Sequence, residues 1–108
     1  MFARVHTLKT TREQHELGLK IVRDEFLPWV REATGFRGLI GFVDDDRETA
    51  LVLTLWRDED ALEASAEAGD RLGRLASEVS GSTRRSLESY EVTLFEVPKV
   101  TLEDENPA

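Results

Sequence analysis

The order in which two hydrophobic periods follow one another constrains the fold of this chain more than any other feature. Phe2–Leu8 alternates between two sets of side chains, which is typical of a strand. Thr11–Gln14 then has the pattern of a capping box, and apolar residues recur at helical spacing behind it. Gly35 follows as the left-handed residue that ends a helix. Because Pro28 lies inside this helix and lacks a backbone N–H, it predicts a kink near Asp24.

The rest of the chain predicts two strands joined by a polar hairpin, two short helices and a long final strand. In chain order these are the strands Gly38–Val43 and Ala50–Trp56, the helices 58–68 and Arg71–Val79, and the strand Leu87–Val97. Asp58 and Asp70 are the predicted N-caps of the two helices, and Ser82–Ser86 is a predicted polar link. The order β-α-β-β-α-β predicts a ferredoxin-like α+β fold with a four-stranded antiparallel sheet.

The predicted sheet is apolar on both faces, and the helices can cover only one of them. An apolar sheet face is not stable in water, so a second surface must cover it. The same face of a second copy, related by a two-fold axis, is the simplest cover. The pattern therefore predicts a homodimer that pairs through its sheets into an α/β barrel.

Length and composition exclude several classes of function. The 108 residues allow one domain, predicted over 1–98, followed by an acidic C-terminal tail at 99–108 that is either disordered or docked on a partner subunit. The net charge of −8 disfavours a nucleic-acid partner, and the absence of cysteine excludes thiolate chemistry. No signal peptide or membrane span is recognisable, so we expect a cytoplasmic protein that does not bind membranes.

Four short segments carry a resemblance to a known family. They are Phe2-Ala3-Arg4-Val5, Pro28-Trp29-Val30, Gly35-Phe36-Arg37-Gly38 and Leu55-Trp56-Arg57-Asp58-Glu59-Asp60-Ala61-Leu62. Over about residues 2 to 97 the chain resembles the antibiotic-biosynthesis monooxygenase-like domains of the dimeric α/β-barrel superfamily. Members of this family bind small organic molecules between the sheet and the helices. Some of them oxidise aromatic polyketide intermediates with O₂ and no metal or flavin, because the substrate carbanion itself activates oxygen.

The resemblance therefore implies a cofactor-independent monooxygenase that acts on an aromatic or enolisable substrate. Oxygenases of the family rely on an asparagine in the first strand, a position that falls here on His6 or Val5, whereas the only asparagine of this chain is Asn106. The haem-degrading branch uses a Trp and a His at positions that correspond to Ser65 and Leu75, so haem degradation is not expected. The departures leave a non-catalytic, ligand-binding or stress-associated barrel as the alternative.

His6 and Arg4 are the candidate catalytic residues. An unperturbed histidine pKa near 6.5 suits a general base for a phenol or enol proton, and an arginine on the same strand face can stabilise the resulting anion. In the alternative, both residues lie in the dimer interface, with Arg4 paired to an acidic residue such as Glu91. Candidate substrate-binding residues are Trp56, Trp29, Thr54, Phe42 and Tyr90, although Trp56 and Trp29 are equally consistent with framework packing and the threonine with strand propensity.

Two charged segments are interpreted as structural. Asp44-Asp45-Asp46 lacks the glycine and the bidentate glutamate of a calcium loop, which indicates a solvated turn and no metal site. Arg84-Arg85 is a small basic spot that either contacts an anionic ligand or only increases the polarity of a loop.

Overall fold

The computed structural model describes residues 1–98, so the predicted tail at 99–108 lies outside the described residues. The elements in chain order are β1 (Phe2–Lys9), α1 (Arg12–Ile21), a π-helical turn (Val22–Phe26), α2 (Leu27–Arg31), β2 (Phe36–Asp44), β3 (Thr49–Trp56), α3 (Glu59–Ser80) and β4 (Thr83–Glu91). The strands form one antiparallel sheet in the order β2-β3-β1-β4. The predicted ferredoxin-like α+β fold is therefore confirmed.

The first helix begins and is interrupted where the sequence predicts. The Thr11 side chain accepts a hydrogen bond from the Gln14 backbone N–H, and the Gln14 side chain accepts one from the Thr11 N–H, which completes the capping box. The π-helical turn lies immediately before Pro28, and in it the Leu27 N–H donates to the Val22 carbonyl. This wider turn accommodates the missing N–H of the proline.

Three predicted boundaries are wrong. The helix predicted to end at Gly35 ends at Arg31 with Glu32 as its C-cap, and Gly35 is left-handed in the turn that follows. The other two errors concern the second half of the chain. The predicted helices 58–68 and 71–79 are one continuous helix, because Asp70 is not an N-cap but forms ion pairs with Arg74 and Arg84. The final strand covers Thr83–Glu91 instead of Leu87–Val97, so the predicted polar link belongs to the strand. Backbone pairing with the central strand β1 determines this strand more than hydrophobic alternation does.

The pairing register separates the two faces of the sheet. Arg4, His6 and Leu8 of β1 share the face that the helices cover, and the residues between them share the other face. The face away from the helices is mostly apolar and carries Ala3, Val5, Leu51, Leu53, Leu55, Ile40, Phe42 and Tyr90. Phe42 and Tyr90 on this face are 48% and 52% exposed. The single chain thus leaves apolar side chains on the uncovered face, as the sequence predicts.

The core lies between the sheet and the helices, near the end of β3. Val30, Trp56, Ala61 and Leu62 are its buried residues. Gly35 has a φ of 81°, and a Cβ at this position would lie 2.5 Å from the Cβ of Ala61. Only glycine therefore fits the turn that brings β2 against the start of α3. Among residues 1–98, no helix is both long and apolar enough to cross a membrane.

Candidate functional site

A cavity of about 70 Å³ opens between the sheet and the helices, beside the middle of β1. Its walls are mostly apolar, with side chains from the first helix, the π-helical turn, β1, β3 and α3. The apolar wall consists of Leu8, Leu19, Val22, Phe26, Val52, Leu72 and Ala76, and the polar groups are His6, Thr10, His15, Ser77, Ser80, Ser82 and Arg84. A cavity whose surface is mostly apolar and is interrupted by polar groups is typical of a site for a small organic molecule.

His6, in β1, is the most buried of the titratable residues that line this cavity. The residue is 9% exposed, and its ring edge faces α3 at Gly73, where a Cβ would lie 3.6 Å from Cε1. Within residues 1–98 the ring makes no hydrogen bond. Every completely enclosed side-chain nitrogen or oxygen in these residues does have a hydrogen-bond partner. The two ring nitrogens are therefore not completely enclosed by the protein.

Burial and positive charge keep His6 neutral. Desolvation is the largest effect that lowers its pKa, followed by the charges of Arg84 and Arg4, whereas Asp70 raises it. Together they lower the pKa of His6 to about 4. The imidazole is thus unprotonated at neutral pH, so one nitrogen has a free lone pair that can accept a proton.

Arg84 is the cationic group that lines the cavity. It is held by Asp70, which forms ion pairs with both Arg84 and Arg74, and these hydrogen bonds lower the pKa of Asp70 to about 2. Since Arg84 lies in β4 beside β1 and contacts the cavity, it can stabilise negative charge on a ligand next to His6. The hydrophobic pattern predicts a polar link at this residue, because the pairing of β4 with β1 is not visible in that pattern.

Among the residues predicted to form the site, His6 alone lines the cavity. Arg4 is buried on the same sheet face, but its Nη2 donates to the Leu62 carbonyl at 3.1 Å, so it acts on His6 through its charge. The alternative pairing of Arg4 with Glu91 does not occur among the ion pairs of residues 1–98. Thr54 accepts a hydrogen bond from Trp56 Nε1 at 3.0 Å within the core.

The remaining predicted substrate-binding residues lie away from the cavity. Trp29 packs edge-to-face on Phe26 with ring centroids 5.6 Å apart, and it lies against α3 near Gly69. It supports the cavity wall through Phe26 without lining it. Phe42 and Tyr90 lie on the uncovered face of the sheet, because strand alternation directs them away from the helices.

No group of three or more metal-binding side chains occurs in residues 1–98. Asp44 instead forms an ion pair with Arg47 within the hairpin, and Asp45 forms one with Arg12. These exposed pairs hold the hairpin turn, and one of them joins it to the start of α1. The acidic segment is therefore part of the hairpin structure.

Comparison with known proteins identifies the fold. No family model and no curated protein matches the chain in sequence. Among solved structures, SnoaB, a cofactor-independent oxygenase from Streptomyces nogalater, has a TM-score of 0.67 at 11% identity over 87% of this chain and 94% of its own. A monooxygenase from the gene ActVA-Orf6 of Streptomyces coelicolor, in complex with nanaomycin D, has a TM-score of 0.65 at 19% identity over 91% and 92%.

A third similar structure is a dimeric ferredoxin-like protein from an uncultured marine organism, with a TM-score of 0.65 at 11% identity over 90% of this chain and 98% of its own. The chain therefore has the fold of the antibiotic biosynthesis monooxygenase-like proteins, as the resemblance implied. At these identities the likeness concerns the fold, and the chemistry must be argued from the cavity.

Proposed function

We propose that this protein is a cofactor-independent monooxygenase that acts on an aromatic or enolisable small molecule. The observation that carries the proposal is His6, a neutral imidazole without a hydrogen-bond partner among residues 1–98, at the wall of a mostly apolar cavity beside Arg84. The two similar oxygenases from Streptomyces support the reaction class, although their identity to this chain is low. His6 also lies in the first strand, where the family resemblance places the asparagine of characterised oxygenases.

His6 serves as the general base and Arg84 stabilises the anion. Because the pKa of His6 is about 4 and that of an ordinary phenol is about 10, proton transfer to His6 alone is unfavourable. A guanidinium beside the ligand oxygen lowers the pKa of the bound phenol or enol and makes the transfer less unfavourable. Arg4 donates to the Leu62 carbonyl and its charge lowers the pKa of His6, so Arg84 takes the role of anion contact that the sequence predicts for Arg4.

The carbanion then reacts with O₂. An activated methylene group of the substrate loses one proton to His6, transfers electrons to O₂ and forms a carbon–oxygen bond as a peroxide anion. This anion takes the proton back from His6. Loss of water from this peroxide leaves a carbonyl group, so the balance is R₂CH₂ + O₂ → R₂C=O + H₂O. The substrate supplies the electrons, and the reaction needs no added reductant.

Oxygen consumption with anthrone as the probe tests the proposal. The wild-type protein should convert anthrone to anthraquinone with uptake of one O₂, and His6→Gln should be slower by at least about 100-fold, the usual contribution of a general base. His15→Gln is the matched control, because His15 also lines the cavity but lies on α1. Turnover that is the same in His6→Gln and the wild type would refute the role of His6.

A non-catalytic ligand-binding protein is the second candidate. It is favoured by the absence of asparagine from residues 1–98 and by the low pKa of His6, which makes the imidazole a weak base. In this case anthrone binds and quenches tryptophan fluorescence, but the rate of O₂ uptake equals that of the buffer. The two candidates are thus separated by one pair of measurements on the same sample.

We further propose that two copies pair through the uncovered sheet face. Exposed Phe42 and Tyr90 support this pairing, and so does the dimeric ferredoxin-like protein of the same fold. Native mass spectrometry should give the mass of two chains for the wild type and of one chain for Phe42→Arg. Val79→Arg is the matched control, since Val79 is exposed on α3 and not on the sheet face. A wild-type monomer, or a dimer that persists in Phe42→Arg, contradicts this interface.

A further inference from the structure

A chain of hydroxyl groups lies at the end of the cavity away from His6. Thr10 follows β1, and Ser80 and Ser82 lie where α3 ends and β4 begins. All three residues line the cavity, and Thr10 and Ser80 are only 3% and 6% exposed. Ser80 packs against α1 at Gly18, where a Cβ would lie 3.8 Å from Ser80 Oγ. The hydroxyls are therefore held in place by both helices and the sheet.

The hydrogen bonds among these three hydroxyl groups use all three hydroxyl protons. Ser80 Oγ donates to Ser82 Oγ at 3.1 Å, Ser82 Oγ donates to Thr10 Oγ1 at 2.8 Å, and Thr10 Oγ1 donates to the Thr11 carbonyl at 3.1 Å. In the reverse direction Thr10 Oγ1 donates to Ser82 Oγ and Ser82 Oγ donates to Ser80 Oγ. Ser80 Oγ then donates to the Ser77 carbonyl at 3.4 Å, so the three protons are again used. The Ser82 backbone N–H also donates to Ser80 Oγ.

Only lone pairs of these oxygens remain free. Each hydroxyl has one proton and two lone pairs, and in either direction the chain ends on a backbone carbonyl, which cannot donate. A ligand atom at this end is therefore recognised if it donates a hydrogen bond and is not recognised if it only accepts. The opposite end of the cavity differs, because Arg84 has only donors and favours an acceptor or an anion.

We infer that Thr10, Ser80 and Ser82 form a second polar subsite that selects ligands with a hydroxyl or amino group at the end remote from His6 and Arg84. Thr10 is four residues from His6 along an extended strand, so the two subsites are separated by about 13 Å of backbone. A ligand that reaches both subsites carries an acidic group at one end and a hydrogen-bond donor at the other. The inference rests on the proposed function only for the orientation of the ligand.

Three naphthoates test the subsite, because their carboxylate fixes the orientation toward Arg84. The probes are 6-hydroxy-2-naphthoate, 6-amino-2-naphthoate and 6-methoxy-2-naphthoate, of which the last can only accept a hydrogen bond at its far end. Isothermal titration calorimetry on the wild-type protein should show the hydroxy and amino compounds binding about fivefold more tightly than the methoxy compound, as expected for one neutral hydrogen bond. Equal affinities for all three, or no binding of any, would overturn the inference.

The variant Thr10→Val/Ser82→Ala removes two of the three hydroxyls with little change of volume. This double variant should bind the hydroxy and methoxy compounds equally. Ser77→Ala removes a cavity-lining hydroxyl that is not one of the three hydrogen-bonded hydroxyls, so it should keep the fivefold preference. A preference that survives in the double variant, or disappears in Ser77→Ala, contradicts the assignment. If the double variant does not fold, Ser82→Ala alone provides the same comparison, because Ser82 is only partly buried.

The result is independent of the outcome for catalysis. His6→Gln should lose oxygen uptake with anthrone but keep the preference for 6-hydroxy-2-naphthoate. Loss of turnover with an unchanged preference supports both proposals. If the wild-type protein shows the fivefold preference but no turnover of anthrone, the result supports the subsite and refutes the proposed monooxygenase activity.

Discussion

Lowering the pH from 7 to 4 should destabilise the folded protein through one residue, His6. In the folded state the pKa of His6 is about 4, mainly because the ring is desolvated and secondarily because Arg84 and Arg4 lie near it. Asp70 opposes this shift. In the unfolded chain the pKa of the imidazole returns to about 6.5. Between these two values the unfolded state binds a proton that the folded state does not.

The magnitude follows from the difference between the two pKa values. A difference of about 2.5 units at about 1.36 kcal/mol per unit gives about 3 kcal/mol. The contribution to stability is complete above pH 6.5, is reduced by about 2 kcal/mol at pH 5, and is lost as the pH falls through 4. Asp70, whose pKa is lowered to about 2, loses its contribution only below about pH 4. The window from pH 6.5 to 5 therefore reports on histidine.

Urea unfolding followed by circular dichroism at pH 7.5, 6.5, 5.5 and 5.0 measures this effect. The free energy of unfolding of the wild type should fall across the series, and that of His6→Gln should change much less. His15→Gln is the control for the second histidine, whose pKa is also lowered by burial but which is less buried than His6. A pH dependence in His6→Gln equal to that of the wild type would refute the assignment of a neutral, buried His6.

Three further substitutions have defined outcomes. Gly35→Ala should destabilise the fold by about 3 kcal/mol in urea unfolding, because its φ is 81° and its new Cβ would collide with Ala61; unchanged stability would contradict this geometry. Val30→Ala should lower the free energy of unfolding by about 2 kcal/mol, whereas Val79→Ala at an exposed site should change it by less than about 0.5 kcal/mol. Asp70→Asn removes the carboxylate that raises the pKa of His6, so an NMR titration should show that the pKa of His6 falls; an increase would contradict the charge arrangement.

The element order was predictable because the local signals agree with the tertiary structure. The capping box at Thr11, the left-handed Gly35 and the two strands around the polar hairpin connection are each signalled by nearby residues in the sequence. The start of β4 was not predictable, because its polar residues pair with β1 from a distant part of the sequence. For the same reason the sequence left two interpretations of Arg84 open, an anion contact or a loop residue, because Arg84 reaches the cavity only through that pairing.

The depressed pKa of His6 connects the stability of the fold with the choice of ligand. A neutral imidazole is compatible with an apolar cavity, but a pKa of about 4 makes it too weak to remove a proton from an ordinary phenol unaided. A substrate must therefore bring an unusually acidic proton or receive help from Arg84. Asp70 limits that help, since it neutralises much of the charge of Arg84, but it also stabilises the imidazolium that forms when His6 takes the proton. For the proposed reaction, the charge balance among these three residues therefore favours substrates whose anion is extensively delocalised, as in fused aromatic and enolisable ketones.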